Sequence, residues 1–344
     1  MNNQTIDLRS DTVTQPCKEM RKSMAEAIVG DDMYGEDPTI NQLQQLICEI
    51  TGKEEALFVP TASMANQIAI KTLTVLGDAI AVLEHAHVYR FESGAAPVFS
   101  GVTLLQIGDI NGCISINELQ KIIPPDDQHY PPLTLLCMEN THNGQVVPLD
   151  NIAAVSDFCK GQGIKMHLDG ARIFNASVAT GIPVKDYAKH FDTVTICLSK
   201  GLGAPAGALI CSSNSNIKKI HRFRKMMGGA MRQAGIIAAG GLYALKNNVS
   251  HLNKDHELAK YLATEIKKIK KLKIINDPIE TNMIFVSYEK LQIENDVFQK
   301  HMSSKGIEIS CDDAKKITRL VVHRDINIQQ IDYLLENLNL LAQQ

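Results

Sequence analysis

The chain has 344 residues, 44% of them hydrophobic, and a formal net charge of −3. This length predicts a large domain plus a smaller one, and this charge provides no basic field for nucleic acid or for an anionic membrane. Tryptophan is absent and aromatic residues make up only 5%, so we do not expect a base-stacking surface for single strands. A small anionic ligand would have to be held by local cations.

The first residues and the cysteines indicate in which cellular compartment the protein is found. The start, MNNQTIDLRSDTV, lacks the apolar core of a secretory signal, and no run of about 18 apolar residues is present that could span a membrane. The eight cysteines are scattered without C-x-x-C spacing, mostly in apolar runs such as LICEI and TICLS. We interpret them as reduced core residues rather than disulfides or metal ligands, which predicts a cytoplasmic protein with no bound metal and no membrane partner.

From residue 39 to about residue 245, short apolar runs alternate with helical segments. The segment after Asp37 predicts a helix, because aspartate is a good N-cap, Pro38 suits the first turn and apolar residues recur on one face. Buried strands are predicted at residues 56–59, 79–83, 133–138, 164–168, 193–198 and 206–211. Continuous apolar strands that alternate with helices are typical of a parallel α/β sheet.

The pattern changes near residues 246–272, a charged segment that predicts a linking helix. The remainder predicts a strand (NMIFVSY), a helix (IENDVFQKHMSSKG), two strands (IEISC and ITRLVVHR) and a last helix (IQQIDYLLENLNLLAQQ). We therefore predict a large domain over residues 1–250, in which about the first 15 residues form an N-terminal arm, and a small α+β domain over residues 251–344.

Polar residues end two of the predicted strands, and ligands of open α/β sheets bind at such carboxyl ends. Asp169 and Arg172 follow the strand in IKMHLDGAR, where an unpaired carboxylate would be costly; the simpler interpretation is an aspartate that caps the next helix. Lys200 ends the strand in TICLSKGLGAPAG, where desolvation favours a neutral, nucleophilic amine; the alternative is a surface lysine at a turn.

Lys200 and Asp169 together predict a cofactor site. They are 31 positions apart, about one β-α-β unit, so they can face one pocket from neighbouring strands. Pyridoxal 5′-phosphate (PLP) requires such a pair: a lysine for a Schiff base with its aldehyde, and a carboxylate that keeps its ring nitrogen protonated. The turn Thr61-Ala62-Ser63 before a predicted helix offers N–H groups to a phosphate, although hydroxyl residues there are usually plain N-caps.

Seven segments resemble one family, in the same order along the chain: IDLRSDTVT, GDDMYGEDPT, HAHVYRFESGA, ENTHNG, HLDGARIFNA, TICLSKGLGAP and KMMGGAMRQAG. From about Ile6 to its end, the chain resembles the low-specificity threonine aldolases. This resemblance implies the aspartate-aminotransferase-like fold of PLP enzymes (fold type I), with a mostly parallel seven-stranded sheet and a small C-terminal domain. It implies retro-aldol cleavage of L-threonine or L-allo-threonine to glycine and acetaldehyde, in a homotetramer whose active sites are shared between subunits.

The resemblance also implies roles for single residues at the cofactor. Lys200 forms the Schiff base, Asp169 pairs with the ring nitrogen, and His87 stacks on the ring. Phosphate contacts fall on the turn Thr61, Ala62 and Ser63 of this chain and on Lys225 and Arg232 of a neighbouring subunit. The family often has glycine where this chain has Ala62, so the phosphate turn is the point at which the match departs from the pattern.

Further residues match positions that contact the substrate. Arg172 lies near the phenolic oxygen of the cofactor and the substrate carboxylate, and Ser10 with Arg319 completes the carboxylate clamp. The planar guanidinium of Arg319 suits this role, since it can donate two parallel hydrogen bonds to a carboxylate. Tyr34 and Glu92 are expected to line the same site.

Two histidines compete for the role of catalytic base, because imidazole titrates near neutral pH. His87 could act directly or only stack on the cofactor. His129, in PPDDQHYPP, matches a site histidine of the family, but it could equally be an exposed loop residue. We expect the other histidines to be structural, and among them His142 in ENTHNG is the best candidate to support the site.

Three rival functions remain open. A β-eliminating lyase, a hydroxymethyltransferase or a racemase would share the fold and cofactor but break a different bond. A PLP-binding regulator without catalysis could dispense with the arginine clamp, which this chain has. A nicotinamide dehydrogenase is disfavoured, because GLGAPAG is not G-x-G-x-x-G and follows a lysine.

Overall fold

The computed structural model describes residues 5–312 and 315–343 of the chain. The helices are α1 (Lys18–Ala25), α2 (Pro38–Thr51), α3 (Ala62–Leu73), α4 (His87–Arg90), α5 (Ala95–Ser100), α6 (Ile116–Ile122), α7 (Leu149–Gly161), α8 (Ile173–Thr180), α9 (Val184–Ala188), α10 (Asn214–Met226), α11 (Gly235–Asn247), α12 (Leu252–Ile266), α13 (Asn295–Ser304) and α14 (Ile328–Gln343). The strands are β1 (Ile6–Asp7), β2 (Glu55–Val59), β3 (Ala79–Leu83), β4 (Thr103–Ile107), β5 (Leu133–Glu139), β6 (Lys165–Asp169), β7 (Thr193–Cys197), β8 (Ala208–Ser212), β9 (Lys273–Ile274), β10 (Met283–Ser287), β11 (Ile307–Glu308), β12 (Ser310–Cys311) and β13 (Ile317–Val321).

Helix α2 begins and ends as its sequence predicts. The side chain of Asp37 accepts hydrogen bonds from the backbone N–H groups of Thr39 and Ile40, and Pro38 occupies the first turn. The helix ends at Gly52, whose φ of 68° lies in the left-handed region that glycine adopts without strain. Asp37 is fully buried and also accepts from the N–H of Gly235, so the cap ties α2 to the start of α11.

The large sheet has seven strands in the order β2-β8-β7-β6-β5-β3-β4. Every neighbouring pair is parallel except those that involve β8, which is antiparallel to both β2 and β7. The other six strands therefore run in one direction and end at the same edge. The predicted mostly parallel seven-stranded sheet is confirmed.

Six of these strands lie within two residues of their predicted limits, whereas β4 was not predicted from the sequence. Strand β4 pairs only with β3 at the end of the sheet, and most of its residues are partly or fully exposed. An edge strand lacks the continuous apolar run that marks a strand buried on both faces. The signal used for the other strands was therefore absent at residues 103–107.

The C-terminal part contains a four-stranded antiparallel sheet in the order β12-β13-β10-β9. The single strand predicted for IEISC is divided in two. Its first half is β11, which pairs in parallel with β1 from the N-terminus, and its second half is β12, which pairs with β13. Because β1 comes from the other end of the chain, no local pattern could reveal this division.

The apolar residues form separate clusters around these sheets. One extends from Met20 to Leu252, and a second joins Ile6 and Leu8 to residues between Ala259 and Leu341. The charged segment predicted as one linking helix contains the end of α11, a short 3-10 turn and α12. None of the described helices has both the length and the apolarity needed to cross a lipid bilayer. The domain limits at residues 250 and 251 stay a prediction.

Candidate active site

The polar residues predicted from the strand ends lie at one edge of the large sheet. Asp169 is the last residue of β6, and Lys200 follows β7 by three residues. His87 follows β3, and Thr61 follows β2. Since these four strands run in the same direction, all four residues lie at the carboxyl edge, where α/β sheets bind ligands.

Asp169 is held in place by two N–H donors. Asp169 is 6% exposed. One of its carboxylate oxygens accepts a hydrogen bond from the backbone N–H of Ala171 at 3.0 Å, and the other accepts one from the side-chain amide of Asn66 at 2.7 Å. The next residue, Gly170, has no room for a side chain, because a Cβ there would lie 2.6 Å from the carbonyl oxygen of Thr195. Asp169 is therefore a buried, oriented carboxylate and does not serve as a helix cap, since α8 begins with Arg172 as its N-cap.

A second buried carboxylate, Glu92, lies beside Asp169. It accepts hydrogen bonds from the side-chain amides of Asn66 at 3.0 Å and Gln67 at 2.6 Å. Its Oε1 atom lies 2.8 Å from Nδ1 of His87. This contact raises the pKa of His87, against the effect of burial, and the negative charge of Asp169 also raises it.

His167 lies behind this group within β6. Its Nε2 atom is 3.1 Å from the amide oxygen of Asn66, and its Nδ1 atom is 2.8 Å from the hydroxyl of Thr193. Complete burial lowers the pKa of His167 to about 4 although the charge of Asp169 acts in the opposite direction. His167 is therefore neutral near pH 7 and serves as a hydrogen-bonding support for Asn66.

Lys200 is half-buried, and its backbone carbonyl accepts a hydrogen bond from the Thr14 hydroxyl at 2.8 Å. Its positive charge lowers the pKa of Asp11 and opposes the rise in the pKa of His87. Lys200 thus acts electrostatically on both residues. The charge of Asp169 also acts on His87, so both members of the predicted pair influence the pKa of the same imidazole, in opposite directions.

Arg172 forms a buried ion pair that the sequence analysis did not predict. Its guanidinium donates two hydrogen bonds to Asp11, at 2.8 and 2.6 Å, and Asp11 is fully buried. Burial alone would raise the pKa of Asp11, but the charge and hydrogen bonds of Arg172 outweigh it and hold the pKa at about 2. Asp11 is therefore ionised at any pH near neutrality.

Arg319 adds a further positive charge to this region. It lies on β13, its side chain donates to the carbonyl oxygen of Arg9 at 3.0 Å, and burial together with the charge of Arg172 lowers its pKa. The charge of Arg172 lowers the pKa of Arg319 and the charge of Asp11 raises it, so all three groups act on one another electrostatically. Ser10, beside Asp11, accepts from the backbone N–H of Thr12 and caps a short 3-10 helix. The region carries a surplus of positive charge suited to a small carboxylate.

The predicted phosphate turn forms the start of α3. Thr61 is the N-cap, and its hydroxyl accepts from the backbone N–H of Met64 at 3.1 Å. Ala62 and Ser63 lie in the first turn, which follows the carboxyl end of β2, and the N–H groups of a first turn have no partners within their helix. Asn66, one turn further along α3, contacts Asp169. Helix α3 therefore connects the turn to the buried carboxylates.

For four predicted site residues, the contacts within this chain do not place the side chain at the carboxyl edge of the sheet. His129 precedes β5 and so lies at the opposite end of that strand from Glu139; its ring is 74% exposed and contacts Asp127 at 2.5 Å. Tyr34 is 78% exposed. Lys225 is exposed near the end of α10, and Arg232 lies 3.5 Å from Asp31 at the surface. Their roles stay predictions.

The sequence analysis missed Asn66, Gln67, Glu139 and Asp11. Two adjacent amide residues inside the apolar run MANQIAIK were a usable signal, because buried amides need partners. Glu139 ends β5 and accepts hydrogen bonds from the backbone N–H of His87 and from Nδ1 of His142, the latter at 2.7 Å. His142 thus supports the loop that carries His87.

His87, Glu92 and Asp169 each place a ligand-type atom within 4.8 Å of the others. The amide nitrogen of Asn66 lies between the two carboxylates and donates to both. A cation bound there would have to displace these hydrogen bonds, and an amide N–H group cannot act as a metal ligand. We therefore interpret this group as a hydrogen-bond network.

Comparisons with known proteins agree with this geometry. The family model described as beta-eliminating lyase matches residues 7–290. The chain is 42% identical over 328 residues to the low specificity L-threonine aldolase of Escherichia coli K12, covering 95% of this chain and 96% of that one. It is 38% identical over 342 residues to the probable low-specificity L-threonine aldolase 2 of Arabidopsis thaliana, covering 96% and 95%. Its structure is similar to that of the threonine aldolase of Leishmania major, with a TM-score of 0.84 at 18% identity over 98% of this chain and 99% of that one. The chain therefore belongs to the beta-eliminating lyase family and to the low-specificity L-threonine aldolases.

Proposed function

We propose that this protein is a PLP-dependent aldolase that cleaves L-threonine and L-allo-threonine to glycine and acetaldehyde. The proposal depends most on the carboxyl edge of the sheet, where the buried Asp169 ends β6 and Lys200 follows the neighbouring strand β7, while Arg172 and Arg319 share the single carboxylate of Asp11. Membership of the threonine aldolase family supports the same reaction.

The residues at this edge fit PLP by their chemistry. Lys200 offers a primary amine to the aldehyde group. Asp169 is a carboxylate already oriented by two N–H donors, so it favours a protonated ring nitrogen. The first turn of α3, from Thr61 to Ser63, offers N–H groups to the phosphate. When bound, PLP acts as an electron sink for the negative charge that develops at the α-carbon of the substrate.

Arg172, Arg319 and Ser10 bind the substrate carboxylate in this proposal. The guanidinium groups can donate paired hydrogen bonds to it, and its negative charge balances that of Arg319, because Asp11 already neutralises Arg172. A fixed carboxylate also fixes the orientation of the bonds at the α-carbon. The chain thereby selects the Cα–Cβ bond for cleavage instead of the Cα–H bond.

A base must remove the proton from the β-hydroxyl group of the substrate. His87 is our candidate, because it lies at the carboxyl edge and its Nδ1 faces Glu92, which leaves Nε2 on the other side of the ring. His129 stays the alternative. Since it lies at the amino end of β5, it could act only in the active site of another subunit.

We further propose that the protein works in the cytoplasm as a homotetramer with shared active sites. Lys225 and Arg232 would contact the phosphate bound by a neighbouring subunit, and Tyr34 would line the substrate site. All three are exposed, and large apolar side chains near them, including Met226 at 69% exposure, are exposed as well. Burial of such residues against another subunit would remove apolar surface from water.

Product analysis separates this function from its rivals. We expect the purified protein with PLP to convert L-threonine and L-allo-threonine to equimolar glycine and acetaldehyde. Chromatography of the amino acid and enzymatic detection of the aldehyde measure both products. Ammonia with a keto acid would instead identify a β-eliminating lyase, a change of stereochemistry alone would identify a racemase, and the absence of turnover would contradict catalysis.

Replacing Arg319 with alanine should raise KM for threonine by at least about tenfold, as expected for the loss of charge-assisted hydrogen bonds of about 1.5–3 kcal/mol. The midpoint of thermal unfolding should change little, because the Arg319 side chain is held by a hydrogen bond to the Arg9 carbonyl. Arg319→Lys, which keeps the charge but not the planar fork, should have an intermediate KM. A KM equal to that of the wild type would remove Arg319 from the clamp.

A further inference from the structure

Glu92 is a buried carboxylate. Its hydrogen-bond partners are the uncharged side-chain amides of Asn66 and Gln67 and the imidazole of His87. Its side chain is 1% exposed. It accepts from Asn66 at 3.0 Å and Gln67 at 2.6 Å, and it contacts Nδ1 of His87 at 2.8 Å. No lysine or arginine pairs with it among the described residues. Burying such a charge is costly, so its contacts indicate a specific role.

The orientation of the Asn66 amide follows from its neighbours. Its nitrogen lies 3.0 Å from Glu92 and 2.7 Å from Asp169, and an ionised carboxylate can only accept hydrogen bonds. The two amide hydrogens therefore point at the two carboxylates, and the amide oxygen faces Nε2 of the neutral His167 at 3.1 Å. His167 must then carry its proton on Nε2. Asn66 thus holds Glu92 and Asp169 in a fixed relation.

The same reasoning determines the tautomer of His87. Because Glu92 can only accept, Nδ1 of His87 must be the protonated nitrogen that donates to it. In the neutral imidazole this leaves Nε2 unprotonated and able to take a proton. The side chain of His87 is 41% exposed, so the ring is accessible from the site while its Nδ1 contacts a carboxylate that solvent does not reach.

We propose that Glu92 is a positioning residue, which Asn66 and Gln67 hold in place so that His87 keeps its proton on Nδ1 and presents Nε2 as the base. The inference deepens the proposed aldolase function, on which it rests. Glu92 itself does not touch the substrate. It orients the ring and selects the tautomer, as carboxylates do for many catalytic histidines.

Charged groups from several elements act on His87. Glu92 and Asp169 raise its pKa, and Lys200 lowers it. Glu139 accepts from its backbone N–H and also contacts His142. A base works only when neutral, so activity should fall as the pH drops through the raised pKa of His87. Removal of the Glu92 charge lowers this pKa and should move the acid limb of the kcat profile to lower pH.

Nitrogen-15 NMR of the histidine-labelled holoenzyme tests the tautomer directly, without any assay of turnover. The His87 signals are assigned by their loss in His87→Asn. Above the pKa of His87, we expect the chemical shift of a protonated nitrogen at Nδ1 and of an unprotonated nitrogen at Nε2. The opposite pattern in the wild-type protein would overturn the proposal, even if every variant of Glu92 failed to fold.

Glu92→Gln tests the consequence for catalysis. Glutamine keeps the shape but removes the charge and replaces one acceptor oxygen with an N–H donor, so either Gln67 or the pair Asn66 and His87 loses its acceptor. We expect kcat to fall by roughly 10- to 100-fold, within the range of general-base catalysis, with little change in KM. The acid limb should move to lower pH, and the nitrogen-15 shifts of His87 should move toward a mixture of tautomers.

Glu84→Gln is the matched control. Its side chain is 55% exposed and its contact is with Arg90, so kcat and the pH profile should equal those of the wild type. If Glu92→Gln also behaved as the wild type while glycine and acetaldehyde were produced normally, the positioning role would be wrong and the aldolase function would stand. If the wild type produced neither product, the proposed function would fail independently of the NMR result.

Discussion

Lys200→Ala should abolish turnover of threonine and the visible absorption of bound PLP. The amine of Lys200 is the group at the carboxyl edge that can form a Schiff base, and an alanine cannot replace it. The side chain is half-buried, and its charge acts on both Asp11 and His87. We therefore expect loss of the absorption band and a fall in kcat to the detection limit, measured by spectrophotometry and product analysis.

Borohydride reduction checks the same residue chemically. Treatment of the wild-type holoenzyme should fix the cofactor to one peptide, and mass spectrometry should map it to Lys200. Lys219→Ala, at an exposed position on α10, is the control and should keep both absorption and activity. Absorption near the wild-type level in Lys200→Ala, or a reduced adduct on another lysine, would overturn the assignment of the cofactor site.

Asp11→Asn should destabilise the protein by about 3–5 kcal/mol at pH 7, because it leaves the guanidinium of Arg172 without its buried partner. Asp11 is fully buried and accepts two hydrogen bonds from Arg172. The loss should appear as a lower urea midpoint in equilibrium unfolding. KM for threonine should rise as well, since Arg172 would no longer be held for the substrate carboxylate.

The pH dependence of stability gives an independent check of the Asp11 pair. The folded pKa of Asp11, about 2, lies below its ordinary value of 3.8. A depressed pKa contributes stability above the ordinary value, and this contribution, about 2 kcal/mol, is lost as the pH falls from about 4 toward 2. The difference between the wild type and Asp11→Asn should therefore narrow over that interval.

Asp7→Asn is the control for this prediction. Asp7 pairs with Arg9 in the same N-terminal segment, but the Arg9 side chain is 48% exposed. Exposed ion pairs contribute only about 0–1 kcal/mol, so this variant should unfold nearly like the wild type. An equal loss of stability in both variants would show that burial of the Arg172–Asp11 pair is not the cause.

Several features of this protein follow from local sequence. Alternating apolar strands and helices predicted the α/β class, because a buried parallel strand must be apolar along its whole length. Asp169 and Lys200 could be identified because each lies at or just after the end of an apolar run, where a charged residue is costly unless it is paired or functional. Their spacing matched one β-α-β unit, and the motifs around them identified the family.

Other features depend on contacts between distant parts of the chain. Arg172 and Asp11 are separated by 161 residues, and Asn66 is separated from Asp169 by 103. No periodicity links such positions, because their contact depends on how β6, α3 and the N-terminal segment pack. The division of IEISC between two sheets has the same origin, since β1 reaches β11 from the opposite end of the chain.

By itself, the sequence predicted which residues would carry the chemistry, because the lysine, the carboxylate and the arginines appear in recognisable local contexts. The tertiary structure alone decided how those groups are supported. Glu92, in the loop after α4, contacts the imidazole of His87, and Asn66 of α3 donates a hydrogen bond to Glu92. A buried charge is stable only where several segments supply donors at hydrogen-bond distance, and that condition is met only after the chain has folded.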